Sequence, residues 1–132
     1  MQGALAFQKG LGGVHSLSHS LGGIDPRLHH GTLNAIFLPA VIAFNCAAPS
    51  MQEEGKLDRI AQALGLVSAD EVGPAIRAMT ARLGLPRGLA ELGVTREMFP
   101  RIVAGALKDH SHKTNPREAS GDDYLAMLEA SL

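Results

Sequence analysis

Apolar residues recur along this chain at three- and four-residue intervals, and no long run alternates apolar with polar positions. That periodicity predicts helices and no sheet. Residues 1–9 read as the end of a helix halted by Gly10, Gly12 and Gly13. A short helix over 14–21 is closed by Gly22 and Gly23, and Asp25-Pro26 marks a turn. From His30 to about Asn45 lies the most apolar segment, with Pro39 inside it expected to kink the axis. Ser50 with Glu53, and then Ser68 with Glu71, have the spacing of capping boxes. They predict one helix over 51–64 ended by Gly65, and another running to about Leu83 and stopped by Gly84, its first turns disturbed by Gly73-Pro74. Leu85-Pro86 opens a connection, and Thr95 caps a helix to about Asp109 that tolerates Pro100 in its first turn. A polar loop over 109–119 follows. Ser120, with Asp122 and Asp123 behind it, caps a final helix to Leu132.

Composition sharpens this picture only in places. Alanine and leucine are abundant, tyrosine occurs once and tryptophan not at all, which favours helix. The fold class read from the chain is therefore all-α, a helical bundle with one core over residues 1–132. Twelve Lys and Arg against thirteen Asp and Glu leave a net charge of -1, so no nucleic acid and no anionic membrane surface is expected as partner. The longest apolar stretch, 33–48, is interrupted by Asn34, Pro39 and Asn45 and falls short of the roughly 18 residues of a membrane span. Lys9 follows the first apolar residues rather than preceding them, unlike a secretory leader. The single cysteine, Cys46, cannot close an internal disulfide and reads as a small buried hydrophobe. A cytoplasmic location is the expectation.

Chemistry concentrates in residues 10–45, GLGGVHSLSHSLGGIDPRLHHGTLNAIFLPAVIAFN, which hold four of the six histidines. His15 and His19 are four apart, so on a helix their rings share a face about 6 Å apart. His30 begins the next helix, after a turn that can fold it back toward the pair. Converging neutral imidazoles suit zinc, iron, cobalt or nickel. By spacing alone, satisfied or merely exposed histidines are the more ordinary reading. Ser16 stands where a metalloprotease helix carries its glutamate base, which disfavours peptidase chemistry. Asp25, beside Pro26 and a double glycine, is a turn former rather than a ligand.

The same stretch resembles a signature of the iron-containing (group III) alcohol dehydrogenases: Gly-x-x-His-x-x-x-His-x-Leu-Gly, a turn, then His-Gly-x-x-Asn-Ala and Leu-Pro. The residues that carry it are Gly12, His15, His19, Leu21 and Gly22, then His30, Gly31, Asn34, Ala35, Leu38 and Pro39, closed by Phe44-Asn45. The similarity reaches the C-terminal loop, where Asn115-Pro116-Arg117 matches the family's Asn-Pro-Arg ahead of the last helix.

This resemblance implies the helical C-terminal part of an enzyme that interconverts alcohols and aldehydes by hydride transfer, with Fe2+ (or Zn2+) and NAD or NADP in a cleft. His15 and His30 are the implied metal ligands, and His19 is the implied catalytic residue beside the metal, for proton relay or substrate positioning. His29 stands where the family usually has proline, and the loop before it is one residue longer than in many members. It competes with His30 as ligand, with Gly31, Asn34 and Ala35 fixing the register in favour of His30. Ser111 and His112 fall where the family brings a loop toward the cleft, so cofactor contact is one reading and a solvated loop the other.

No glycine-rich nucleotide fingerprint occurs in the chain, and a nucleotide-binding domain carrying the remaining metal ligands is expected to be missing from it. NAD or NADP would then be held only with an N-terminal dehydrogenase domain as partner. Three functions are compatible with this: a part of a dehydrogenase, incomplete alone and acting on an alcohol substrate; a noncatalytic helical association module; and a stand-alone metal-binding protein using His15, His19 and His30. An exposed apolar face would also favour a homo-oligomer.

Overall fold

The computed structural model describes Leu5, Gln8 and residues 10–132. The helix end expected over residues 1–9 lies largely outside them. Every regular element among the described residues is helical, with no strand, as the periodicity predicts. Seven α-helices follow in order: α1 (Gly13–Ile24), α2 (His30–Asn45), α3 (Pro49–Gln52), α4 (Lys56–Ala63), α5 (Val72–Arg82), α6 (Phe99–Lys108) and α7 (Gly121–Glu129). Short 3-10 turns, Ala69–Glu71, Arg96–Met98 and His110–Thr114, lead into α5, into α6 and out of α6, and a fourth, Leu89–Leu92, lies in the connection after α5.

The main core forms where α1, α2, α6 and α7 meet. Leu17 and Leu21 from α1, Leu33 and Phe37 from α2, Ile102 from α6 and Tyr124 from α7 are wholly buried there. Leu17 and Leu21 are two positions on from His15 and His19, a rotation that puts the histidines on the opposite side of α1 from the core. Helix α2 is apolar nearly all round because it is covered on two sides, by α1 and by α5. It passes through Pro39 without ending. A proline inside a helix costs about 3 kcal/mol, and burial of the following Val41, with Phe44 against the same core, offsets it. A smaller core of Ala61, Val72 and Ile76 closes α4 and α5 over Leu38 and Ile42 of α2.

Several expected boundaries are corrected. Gly22 and Gly23 do not stop α1, which continues to Ile24 and ends where the Asp25 N–H reaches the Leu21 carbonyl. Each glycine costs about 1 kcal/mol in a helix, and packing of Ile24 on the core compensates. The helix expected over 51–64 is two: Gly55 takes a left-handed φ of 55° between α3 and α4. Neither Ser50 nor Ser68 nor Thr95 forms a side-chain cap. Pro49, whose missing N–H is harmless in a first turn, starts α3 behind the buried Ala48. The Glu71 carboxylate instead accepts the Val67 N–H at 3.0 Å. Gly65 and Gly84 do turn left-handed after α4 and α5.

Pro100 lies in the first turn of α6, as expected. The Ser120 cap is present in full. Its Oγ accepts the Asp123 N–H at 3.2 Å and the Asp123 carboxylate accepts the Ser120 N–H at 2.8 Å. Helix α7 ends at Glu129 rather than Leu132, because the Ser131 and Leu132 carbonyls turn to accept the N–H groups of Leu89 and Ala90. Cys46 is only half-buried, its thiol donating to the Ile42 carbonyl at 3.1 Å. No helix among the described residues is long and apolar enough to cross a membrane.

Candidate metal centre

The turn between α1 and α2 brings the histidines together. Asp25 accepts the Leu28 N–H at its carbonyl and grips the Arg27 guanidinium through both carboxylate oxygens, at 2.9 and 2.8 Å. That side-chain hydrogen bond holds the Asp25 carboxyl at about 2, against 3.8 ordinarily. Asp25 is thus a turn former, as the sequence suggests. The reversal lays the start of α2 across α1, and the rings of His15, His19 and His30 close into a triangle with centroids 5.5, 5.3 and 5.3 Å apart.

One atom fixes where two of these rings aim. The Asn34 amide nitrogen, one turn beyond His30 on the same stripe of α2, donates to His30 Nε2 at 3.0 Å and to His15 Nε2 at 3.4 Å. Both Nε2 atoms thus face one point, and with the amide nitrogen placed there each turns a lone pair toward it. The Asn34 Oδ1 is buried and has no partner among the described residues. Burial, and then the adjacent His30 and His19, push His15 below its ordinary value, favouring the neutral form that ligates metals. The donor set therefore fits a borderline divalent ion.

His19 faces a different partner. Its Nδ1 is 3.0 Å from Asp109 Oδ2, ninety positions away at the end of α6. Burial raises the Asp109 carboxyl, but hydrogen bonds from the Ser111 N–H and from His19 outweigh it and hold the group below its usual range. His110 stacks on His19 with centroids 5.7 Å apart, and its Nδ1 is 3.8 Å from Asp109 Oδ1. Candidate ligand atoms of His19, Asp109 and His110 lie within 4.8 Å of one another, so His19 sits between two donor groups. An apolar groove of about 620 Å³ opens beside His15 and Asn34, walled by Val14, Leu38 and Ile42.

The other candidates fall elsewhere. His29 lies against Gly31 and 3.5 Å from Thr32 Oγ1, so the histidine facing His15 is His30. Ser111 is wholly buried, its N–H given to Asp109 and its hydroxyl 3.4 Å from His110 Nε2. The His112 Nδ1 pairs with the Tyr124 hydroxyl at 3.0 Å.

Residues 2–132 match the model of the Fe-containing alcohol dehydrogenase family, C-terminal part. The chain belongs to this family. A 4-hydroxybutyrate dehydrogenase of Cupriavidus necator is 56% identical over the whole chain, which covers 36% of that protein. An NAD-dependent methanol dehydrogenase of Bacillus methanolicus is 31% identical, again over the whole chain and 35% of its own length. The crystal structure of a 1,3-propanediol oxidoreductase superposes on 92% of this chain and 33% of its own with a TM-score of 0.81 and 32% identity. The chain thus spans about a third of the length of these relatives and corresponds to their C-terminal part.

Within that family frame, the paired motif residues have a mechanical role. Asn45 and Asn115 exchange reciprocal amide hydrogen bonds, at 3.1 and 2.7 Å, while Asn115 Oδ1 also accepts the Gly13 N–H. Arg117 lies over the Phe44 ring at 4.1 Å and donates to the Phe44 carbonyl. The Phe44-Asn45 and Asn115-Pro116-Arg117 motifs are thus two halves of one clasp. Asp109 and His110 were not singled out from sequence. The one available signal was that two charged or ligating residues stand directly at the predicted end of a helix.

Proposed function

We propose that this chain is the metal-holding helical part of an NAD- or NADP-dependent alcohol dehydrogenase, with His15 and His30 binding Fe2+ (or Zn2+) and His19 beside them. The observation that carries the reading is the single Asn34 amide nitrogen shared by the Nε2 atoms of both histidines. When bound, the ion supplies Lewis acidity toward the substrate hydroxyl, and the nicotinamide supplies the hydride acceptor. The chain's own contribution is to hold two neutral imidazoles at fixed angles and to set His19 where it can orient the substrate or take up its proton. The remaining ligands and the nucleotide site are assigned to an N-terminal dehydrogenase domain, the region of the relatives that this chain does not cover. The Cupriavidus relative's name makes 4-hydroxybutyrate the first alcohol to test, and the Bacillus relative's name favours NAD.

Two experiments test this. Titration of the chain with Co2+, followed by visible absorption, should show binding that His15→Ala and His30→Ala each weaken. The loss should exceed the roughly 10–100-fold that follows removal of a mere outer partner. Equal affinity in both variants and wild type would sink the ligand assignment. Mixing the chain with the N-terminal part of the Cupriavidus relative should restore 4-hydroxybutyrate-dependent NAD reduction, and a mixture that assembles yet stays inactive would count against the enzyme reading.

A further inference from the structure

The carboxylate of Asp109 is built into the fold in a way that the metal-site reading does not use. Helix α6 can approach α1 closely because position 105 is glycine: a Cβ there would overlap Ser20 Oγ, which is already spent donating to the Ile102 carbonyl at 2.7 Å. This approach brings His19, next to Ser20, up to the C-terminal end of α6. The chain leaves that helix at Asp109 in an extended conformation, φ -68° and ψ 141°, and Asp109 at once caps the 3-10 turn that follows. Its Oδ1 is thereby committed to the Ser111 N–H at 2.8 Å. His110 Nδ1 stands off from Oδ1 at 3.8 Å, on a ring whose side chain is 78% exposed. Oδ2 is left for His19, at 3.0 Å, with the Asp109 side chain 14% exposed.

We infer that Asp109 is a positioning residue: its carboxylate holds the His19 proton on Nδ1, so that Nε2 carries the lone pair that faces substrate. A carboxylate can only accept, so it selects the Nδ1–H tautomer outright, whereas a neutral imidazole left to itself favours Nε2–H. The same arrangement orients the histidine ligands of many metal sites and bases. Here the carboxylate comes from a loop after α6 while the histidine comes from α1, so the pair also ties the two elements. What Nε2 then does rests on the functional reading above. The tautomer does not.

The test is read on this chain alone, without metal. In histidine-labelled protein, long-range 1H–15N correlations at a pH where the imidazoles are neutral should show His19 with a protonated Nδ1 and an unprotonated Nε2. Asp109→Ala should move both nitrogens toward the opposite tautomer. If that variant does not fold, Asp109→Asn keeps the shape and removes the charge, and its two His19 shifts should move in the same direction. Nε2–H in the wild-type chain, or His19 shifts unchanged in the folded variants, would overturn the inference. So would one equivalent of Co2+ bound across His19, Asp109 and His110 in a His15→Ala, His30→Ala double variant, since an ion would then occupy the place given to the proton. A wild-type chain that binds no Co2+ yet shows the Nδ1–H form refutes the metal reading and leaves the positioning role intact.

Discussion

Asp25 shows how a residue that touches no reacting group can still govern the site. Its carboxylate accepts three hydrogen bonds from Arg27, two from the guanidinium and one from the N–H, within the reversal that folds His30 back onto His15. Because its carboxyl is lowered to about 2 from 3.8, the associated stability is complete above the unfolded value. It drains away as the pH falls through the window between these two values. Asp25→Asn should therefore flatten the acid limb of a plot of denaturation midpoint against pH, and an unchanged slope between pH 4 and 2 would contradict this. At the residue scale the sequence was informative about His15 and His30, since one turn of known chemistry separates them. Nothing local announces that Asp109 will meet His19, because that meeting is set by how α1 packs on α6.

At the scale of single elements, three look-alike capping signatures have different outcomes. Ser120 satisfies the first turn of α7, both halves of its box being made from residues three apart. Ser50 and Ser68 have the same spacing and form no cap. Ser50 is overruled by Pro49, which starts the helix one residue early, and by Gly55, which breaks it. Near Ser68, the acidic partner is captured by the Val67 N–H instead. The contrast predicts that Ser120→Ala costs about 1 kcal/mol, within the usual range of lost caps, while Ser50→Ala is nearly silent. Urea unfolding of the two variants would decide, and equal losses would show that the difference in geometry carries no energy. Helix type was thus readable from periodicity, whereas ends, and the division of 51–64 into two helices, depended on competition between neighbours. Gly22 and Gly23 are the clearest case: tertiary burial of Ile24 overrides two residues that locally favour stopping.

Across the whole molecule, the Asn45–Asn115 clasp joins the finish of α2 and the beginning of α1 to the loop that follows α6. Residues from both ends of the sequence therefore frame one site, and the family signature reads in part as a set of mechanical couplings. Helix α2 has a second consequence, drawn from the two cores it separates. The larger lies on one flank, with Phe37 and Leu33, and the smaller on the other, with only Ala61, Val72 and Ile76 fully enclosed. A unit that small is worth little against chain entropy. Backbone amides of α4 and α5 should accordingly trade hydrogen for deuterium well before those of α1 and α6, and uniform protection by mass spectrometry would refute the partition. The histidine triangle sits on α1 and α2, outside the smaller core. Opening of α4 and α5 would uncover Leu38 and Ile42, which also wall the groove beside His15, while the three imidazoles keep their own supports on α1 and α2.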